Sequence, residues 1–94
     1  MNAYTFRGVA LPEHLHKSLD AYAQLGRPTG DFLRACIENN LVNAVWRADE
    51  TSLIALPAVM GYLFNQCPQE CWGSSEKRWA WIEAKQKKRD AAHA

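Results

Sequence analysis

The sequence predicts an all-α fold, a compact bundle of about four helices preceded by an N-terminal arm. Apolar residues recur three and four positions apart in four successive segments, which is the spacing of one face of a helix. Glycine, proline, serine and aspartate separate these segments, and those residues typically end or begin helices. A length of 94 residues indicates one domain.

Residues 1–10 form the predicted arm, because they show no helical period. They alternate loosely between polar and apolar, but an isolated strand would have no partner, so we expect an extended arm packed across the helices. The first helix follows and carries an apolar stripe that includes Leu15, Leu19 and Tyr22. Gly26 is the expected end of this helix.

The second segment predicts a single helix of roughly 17–19 residues, judged from the length of its apolar period. The stripe formed by Leu33, Ile37 and Leu41 continues without a change of phase through the pair Asn39–Asn40. One helix therefore explains the pattern better than two, although paired asparagines compete for backbone hydrogen bonds.

The third predicted helix is apolar on nearly all sides between Leu53 and Phe64. A helix of this kind in a small domain is usually the central one, so we expect it to be the most buried. Pro57 lies inside the segment and must be accommodated by a kink or a new turn. Pro68 ends the segment.

The last predicted helix begins at a serine cap, Ser74 or Ser75. Trp79 and Ile82 share the face that we expect to meet the core. Trp81 lies about 200° around the helix from Trp79, so both rings cannot face the same core. We therefore expect Trp81 to point away from it.

The chain thus divides into an arm (residues 1–10), a helical domain (residues 11–84) and a basic C-terminal tail (residues 85–94) that we expect to fray. From Glu76 onward there are six basic and three acidic residues, a net charge of +3, whereas the rest of the chain carries −2. The total of +1 creates no global field that would attract nucleic acid.

The three cysteines are an odd number, and no charged start followed by an apolar run precedes them. This usage predicts free thiols in a reducing, cytoplasmic environment. The longest apolar run, from Leu53 to Phe64, is shorter than the roughly 20 residues that a bilayer crossing needs. We expect no membrane association.

Cys67 and Cys71, spaced C-x3-C, are the strongest candidates for a metal or redox site. Zinc usually takes two pairs of ligands, and thioredoxin-type sites use C-x-x-C at a helix start next to a strand. The other candidate ligands, which form no second pair of matching spacing, are Cys36, His14, His16 and His93. Paired carboxylates and phosphate-binding loops are absent from the sequence. We therefore expect no metal, no cofactor and no enzymatic activity.

Nucleic-acid binding is a second reading of the same chain. The first two predicted helices and the turn between them resemble a helix-turn-helix, but the second helix opens with Asp31 and two apolar residues, and Arg34 is its only early cation. The basic C-terminal segment beside Trp81 is the better indication, because cations and aromatic rings together suit single strands.

Protein binding is the reading that the aromatic content favours. Four tryptophans and three tyrosines exceed what so small a core needs, and both residue types are preferred interface anchors. The residues predicted to bind a partner, chosen because they lie off the core stripes or in the basic segment, are Trp46, Arg47, Lys77, Arg78, Trp81, Lys85, Lys88 and Arg89. Leftover apolar faces would also allow a homodimer.

Three stretches of the chain also resemble a family of short phage and prophage proteins. They are G-R-P-T-G-D-F-L (26–33), N-N-L-V-N-A-V-W-R-A-D (39–49) and P-Q-E-C-W-G-S-S-E-K-R-W-A-W (68–81). The resemblance covers about Leu11 to Glu83. Similar proteins commonly have proline where this chain has Ser75, which weakens the helix start and leaves Ser74 as the cap.

The resemblance implies a source class and supplies no set of catalytic residues. Small phage accessory proteins often act by binding a larger complex of the host, and inhibitors of bacterial defence such as anti-CRISPR proteins are of this kind. It therefore implies a non-enzymatic, cytoplasmic protein that binds a bacterial defence complex. The alternative is a nucleic-acid-binding accessory protein that uses the basic C-terminal helix.

Overall fold

The computed structural model describes residues 4–92. Over this range the predicted all-α class is confirmed, with a small two-stranded hairpin in addition to the helices. The elements, in chain order, are β1 (Thr5–Phe6), β2 (Val9–Ala10), α1 (Glu13–Leu25), α2 (Asp31–Ile37), α3 (Leu41–Arg47), α4 (Glu50–Gln66), a 3₁₀ turn (Gln69–Cys71) and α5 (Ser75–Ala92).

The N-terminal segment is a β-hairpin rather than the extended arm predicted above. Arg7 and Gly8 both have positive φ, 50° and 81°, as a tight two-residue hairpin turn requires. This turn pairs β1 with β2 in antiparallel register. The hairpin packs on α4, where the ring of Phe6 lies against Gly61. The segment does pack on a helix, as predicted for the arm, but its strand β1 pairs with β2 of the same segment.

Helix α1 has the stripe and the end that the sequence predicts. Leu15, Leu19 and Tyr22 are buried. Gly26 adopts the left-handed conformation with φ 69°, and its N–H donates to the carbonyl of Tyr22 at 2.8 Å. The Tyr22 hydroxyl donates to the carbonyl of Cys71 at 2.6 Å, which fastens α1 to the 3₁₀ turn.

The single long second helix that we predicted is wrong, because the chain breaks between α2 and α3. Asn39 has φ 60°, a left-handed conformation that asparagine tolerates better than most residues. The side chain of Asn40 then accepts a hydrogen bond from the Asn43 N–H at 3.2 Å and begins α3. The break turns Leu41 out of the predicted stripe, and it is 61% exposed.

Helix α4 begins at Asp49, whose side chain accepts from the Ser52 N–H at 2.7 Å. It continues through Pro57 as one helix. α4 has seven buried residues, more than any other helix described, as expected for the most buried helix, but another side of it remains in solvent. Ile54 and Phe64 are 71% and 73% exposed, because the hairpin and α2 are the main elements that cover α4.

Helix α5 begins at Ser74, whose hydroxyl accepts from the Lys77 N–H at 3.1 Å. Ile82 packs against the core as predicted, but Trp79 does not and is 52% exposed. Trp81, predicted to point away, is half-buried, and Arg78 is 4% exposed. The predicted fraying tail is helical as far as Ala92.

The core lies between α1, α2, α4 and the 3₁₀ turn, and α3 adds Ala44 to it. The radius of gyration, 13.2 Å, is that of a compact domain of this length. Within residues 4–92, none of the helices combines the length and the apolar character that a bilayer crossing demands.

Candidate functional site

Large apolar side chains that face solvent are concentrated on two neighbouring helices. Of the nine exposed large hydrophobic residues among those described, seven belong to α3 and α4, the other two being Leu25 and Trp79. The α3–α4 surface, as we call it, consists of these seven residues and of three α4 residues lying among them: Leu41, Val42, Val45, Trp46, Leu53, Ile54, Leu56, Pro57, Met60 and Phe64.

Its α4 side is a stripe along one face of the helix. Leu53, Pro57, Met60 and Phe64 follow one another at intervals of four, three and four residues, so they lie in one row. Three of these four are exposed, and Met60 is partly buried. This row lies next to the buried face of α4 and is separate from it. Because both faces are apolar, α4 is apolar on nearly all sides in the sequence.

Its α3 side results from the length of that helix, which has only seven residues. Ala44 alone turns inward and is 1% exposed. Val42 and Trp46, one turn apart, are 66% and 80% exposed. A helix this short depends on tertiary packing for its stability. Its outer apolar side chains remain in solvent and contribute none of that packing.

An apolar groove of about 240 Å³ lies between the two helices. Leu41 and Ala44 line it from α3, and Leu56 and Met60 line it from α4. An apolar cavity of about 150 Å³ holds a benzene ring. The groove therefore has room for a ring or a branched aliphatic side chain from another molecule.

Along α3 and α4 themselves, charged residues occur only at the connection between the two helices. No charged residue occurs between Asn39 and Trp46 or between Thr51 and Pro68. The connection between α3 and α4 carries Arg47, Asp49 and Glu50. Charge-depleted centres with charged edges are typical of protein interfaces.

Two of the predicted partner-binding residues, Trp46 and Arg47, lie on or beside this surface. Trp46 has the largest exposed fraction, 80%, of the exposed large apolar residues described. Arg47 is exposed and forms an ion pair with Asp31 of α2, with Nη1 and Oδ2 3.4 Å apart. That pair links the end of α3 to the start of α2, and both of its side chains are mostly exposed.

The other six predicted residues lie on α5, and three of them serve the fold. Arg78 is buried, and its Nε donates to Glu38 Oε2 at 2.8 Å. Trp81 Nε1 donates to the carbonyls of Tyr22 and Ala23 at 3.1 and 3.2 Å. Lys85 lies over the Trp81 ring, 4.7 Å from its centre. The structure therefore gives Arg78 and Trp81 contacts within the fold, and their predicted contact with a partner stays a prediction.

The remaining three are cations near the solvent side of α5. Lys77 Nζ donates to the carbonyl of Gln69 at 3.3 Å, and Arg89 Nη2 donates to the side-chain oxygen of Gln86 at 2.5 Å. Lys88 is exposed. Because α5 packs mainly on α1 and the 3₁₀ turn, these cations do not form one site with Trp46.

The three cysteines are free and buried, as the sequence predicts. Burial raises the pKa of Cys36 to about 12. The pKa of Cys67 is raised, mainly by a hydrogen bond with Cys71 and secondly by burial. The same hydrogen bond lowers the pKa of Cys71. Cys71 is 0% exposed, so a reagent in solution has no path to its sulfur while the fold is closed.

Metal-binding chemistry has no cluster to support it in the part of the chain that the structure describes. No group of three or more histidine, cysteine, aspartate or glutamate side chains within residues 4–92 is arranged to hold an ion. His93, one of the candidate ligands considered above, lies outside the described residues.

Sequence reasoning missed most of the α3–α4 surface. The sequence pattern predicts that Leu53 and Phe64 are buried, and that Leu41 belongs to the apolar stripe of one long helix. A signal was present: the third segment is apolar on more faces than a domain of this size can cover, so some of them had to remain outside. The pattern does not say which face that is.

No protein-family model, curated protein or solved structure matches this chain.

Proposed function

We propose that this protein acts by binding another protein through the α3–α4 surface. The observation that carries the proposal is the concentration of seven exposed large apolar side chains on two adjoining helices. Soluble monomers rarely leave contiguous apolar patches of more than a few hundred Å² in water, and larger ones usually mark interaction sites. The same two helices carry an exposed tryptophan and an apolar groove, and both features are typical of interface hot spots.

The partner that the phage resemblance suggests is a bacterial defence complex, bound in the cytoplasm as anti-CRISPR proteins bind theirs. Binding alone would suffice for such inhibition, so the proposal requires no catalytic residue and no cofactor. Trp46 is the expected anchor because it is the most exposed ring on the surface. Arg47 at the charged corner would set orientation more than affinity.

The test is capture of a partner from bacterial lysates that contain defence complexes, followed by rebinding of the purified complex. We expect Trp46→Ala to weaken binding at least about tenfold, the usual loss at a buried aromatic anchor. Trp79→Ala is the matched control, because Trp79 is also exposed but lies on α5. Equal losses in the two variants, or no binding by the wild type to any defence complex, would refute the proposal.

Nucleic-acid binding by α5 is the second candidate, favoured by the exposed pair Lys87–Lys88. Such binding would depend on the lysine charges alone and not on base stacking. The Trp81 ring is hydrogen-bonded to backbone carbonyls and covered by Lys85. Binding to a short single-stranded DNA should then weaken with rising salt and disappear in the variant Lys87→Ala/Lys88→Ala. Absence of binding at about 50 mM salt removes this candidate.

A further inference from the structure

The size of the α3–α4 surface indicates what covers it in the free protein. Given their exposed fractions, its seven exposed large residues together present on the order of 800 Å² to solvent. A standard protein interface takes about 800 Å² from each partner. One copy of this chain therefore offers the area that a stable dimer requires.

The surface carries both a projecting ring and an apolar recess. Trp46 projects from α3, and the groove between α3 and α4 is an apolar recess of about 240 Å³. A twofold interface needs both features on one chain, because each contact made by one copy is repeated by the other. The side chains that line the groove are apolar apart from Asn39 and Asn40 at one end, which suits an indole ring.

The edge of the surface carries charges of both signs. Arg47 and Glu50 are both exposed and lie at the same corner, so two copies related by a twofold axis can place opposite charges near each other. The centre carries no charge that would repel a second copy. A strongly acidic or basic partner would find no matching field there.

We propose that, in the free protein, a second copy of this chain covers the α3–α4 surface in a twofold dimer, with Trp46 of each copy seated in the groove of the other. The inference rests on the proposed function, because it identifies the molecule that covers the same surface before another partner binds. The dimer would have to open before another partner binds, so self-association competes with partner binding.

Sedimentation velocity of the full chain from about 1 to 200 µM tests the dimer, for which we expect a dissociation constant in the micromolar range or tighter. Val42→Glu and Ile54→Glu should each weaken it at least about tenfold. Both side chains are exposed, so the folded monomer should survive, as circular dichroism will show. Leu25→Glu, at an exposed leucine outside the surface, is the matched control and should leave the dimer unchanged.

Tryptophan fluorescence tests the seating of Trp46. Dilution of the wild type should shift the emission to longer wavelength as the ring becomes exposed to water, and Trp46→Phe should abolish this dependence on concentration. Trp79→Phe should retain it, because Trp79 lies outside the interface. A Trp46→Phe protein that keeps the full shift would overturn the proposed seating.

A monomer at every concentration up to about 200 µM overturns the dimer, as does a dimer that Val42→Glu leaves intact. Loss of the dimer at about 0.5 M salt would also overturn it, since an apolar interface is barely screened. A monomeric protein that sediments with phosphatidylglycerol vesicles would assign the surface to lipid instead. A monomer that still captures a defence complex through Trp46 overturns the dimer alone, whereas an intact dimer with no such capture counts against the proposed function alone.

Discussion

Replacing Arg78 by methionine tests whether this cation supports the fold rather than a partner. Arg78 is 4% exposed, and its Nε lies 2.8 Å from Glu38 Oε2. Methionine keeps much of the buried aliphatic stem but leaves the carboxylate without its buried partner. We therefore expect a large loss of stability.

The expected loss follows from the surroundings of Glu38. Breaking a fully buried ion pair costs about 3–5 kcal/mol. The Glu38 side chain is 15% exposed and keeps a second ion pair with Arg34 at 3.2 Å, so part of the penalty is relieved. We expect Arg78→Met to lower the free energy of unfolding by about 2–3 kcal/mol, which is about 10–20 °C in Tm for a domain of this size.

Arg34→Met is the matched control, because it removes the other arginine from the same carboxylate oxygen. The Arg34 side chain is 50% exposed, and exposed pairs contribute roughly 0–1 kcal/mol. Urea unfolding followed by circular dichroism measures both variants. If Arg78→Met costs no more than Arg34→Met, the buried pair does not fasten α5 as argued, and Arg78 returns to the list of candidate partner-binding residues.

Three further predictions concern the turns, the hairpin and the buried acids. Gly61→Ala should destabilise the fold by about 1–3 kcal/mol, since the new methyl group would meet the ring of Phe6 at 2.5 Å; thermal unfolding should show a smaller cost of the same substitution in a Phe6→Ala background. Asn39→Ala should cost about 1 kcal/mol and Asn39→Gly almost nothing, because φ is 60° there, and equal urea midpoints for the two variants would refute the left-handed turn. Stability should fall as pH rises above about 9, because the unfolded chain releases the Cys36 proton there while burial holds the folded pKa at about 12. Burial also raises the pKa of Tyr22, which steepens the loss above about pH 10, and a stability that stays level to pH 11 would contradict both.

Local features of the fold were accessible from sequence because they depend on neighbours along the chain. Gly26 ends α1, Ser74 begins α5, and the stripe of α1 faces the core, all as predicted. The break at Asn39 was not predicted, because the apolar period ran through it. An asparagine can continue a helix or turn left-handed, and the contacts on either side decide which occurs.

The face of α5 was misassigned for a chemical reason. Its inward row is Arg78, Trp81, Ile82 and Lys85, spaced as a helix stripe but with a cation at each end. Arginine is buried only when a carboxylate meets it, and Glu38 is 40 residues away in the chain. No pattern within α5 can report that partner.

The candidate surface was predicted only in part, through Trp46 and Arg47. By itself, the sequence determined that the chain is helical, where most helices begin and end, and that it carries more large apolar residues than a small core needs. Only the tertiary structure decided which of them remain in water. A helix that is apolar on nearly all sides has no preferred inward face. The elements that pack on α4, mainly the hairpin and α2, therefore determine which side of it is left for a partner.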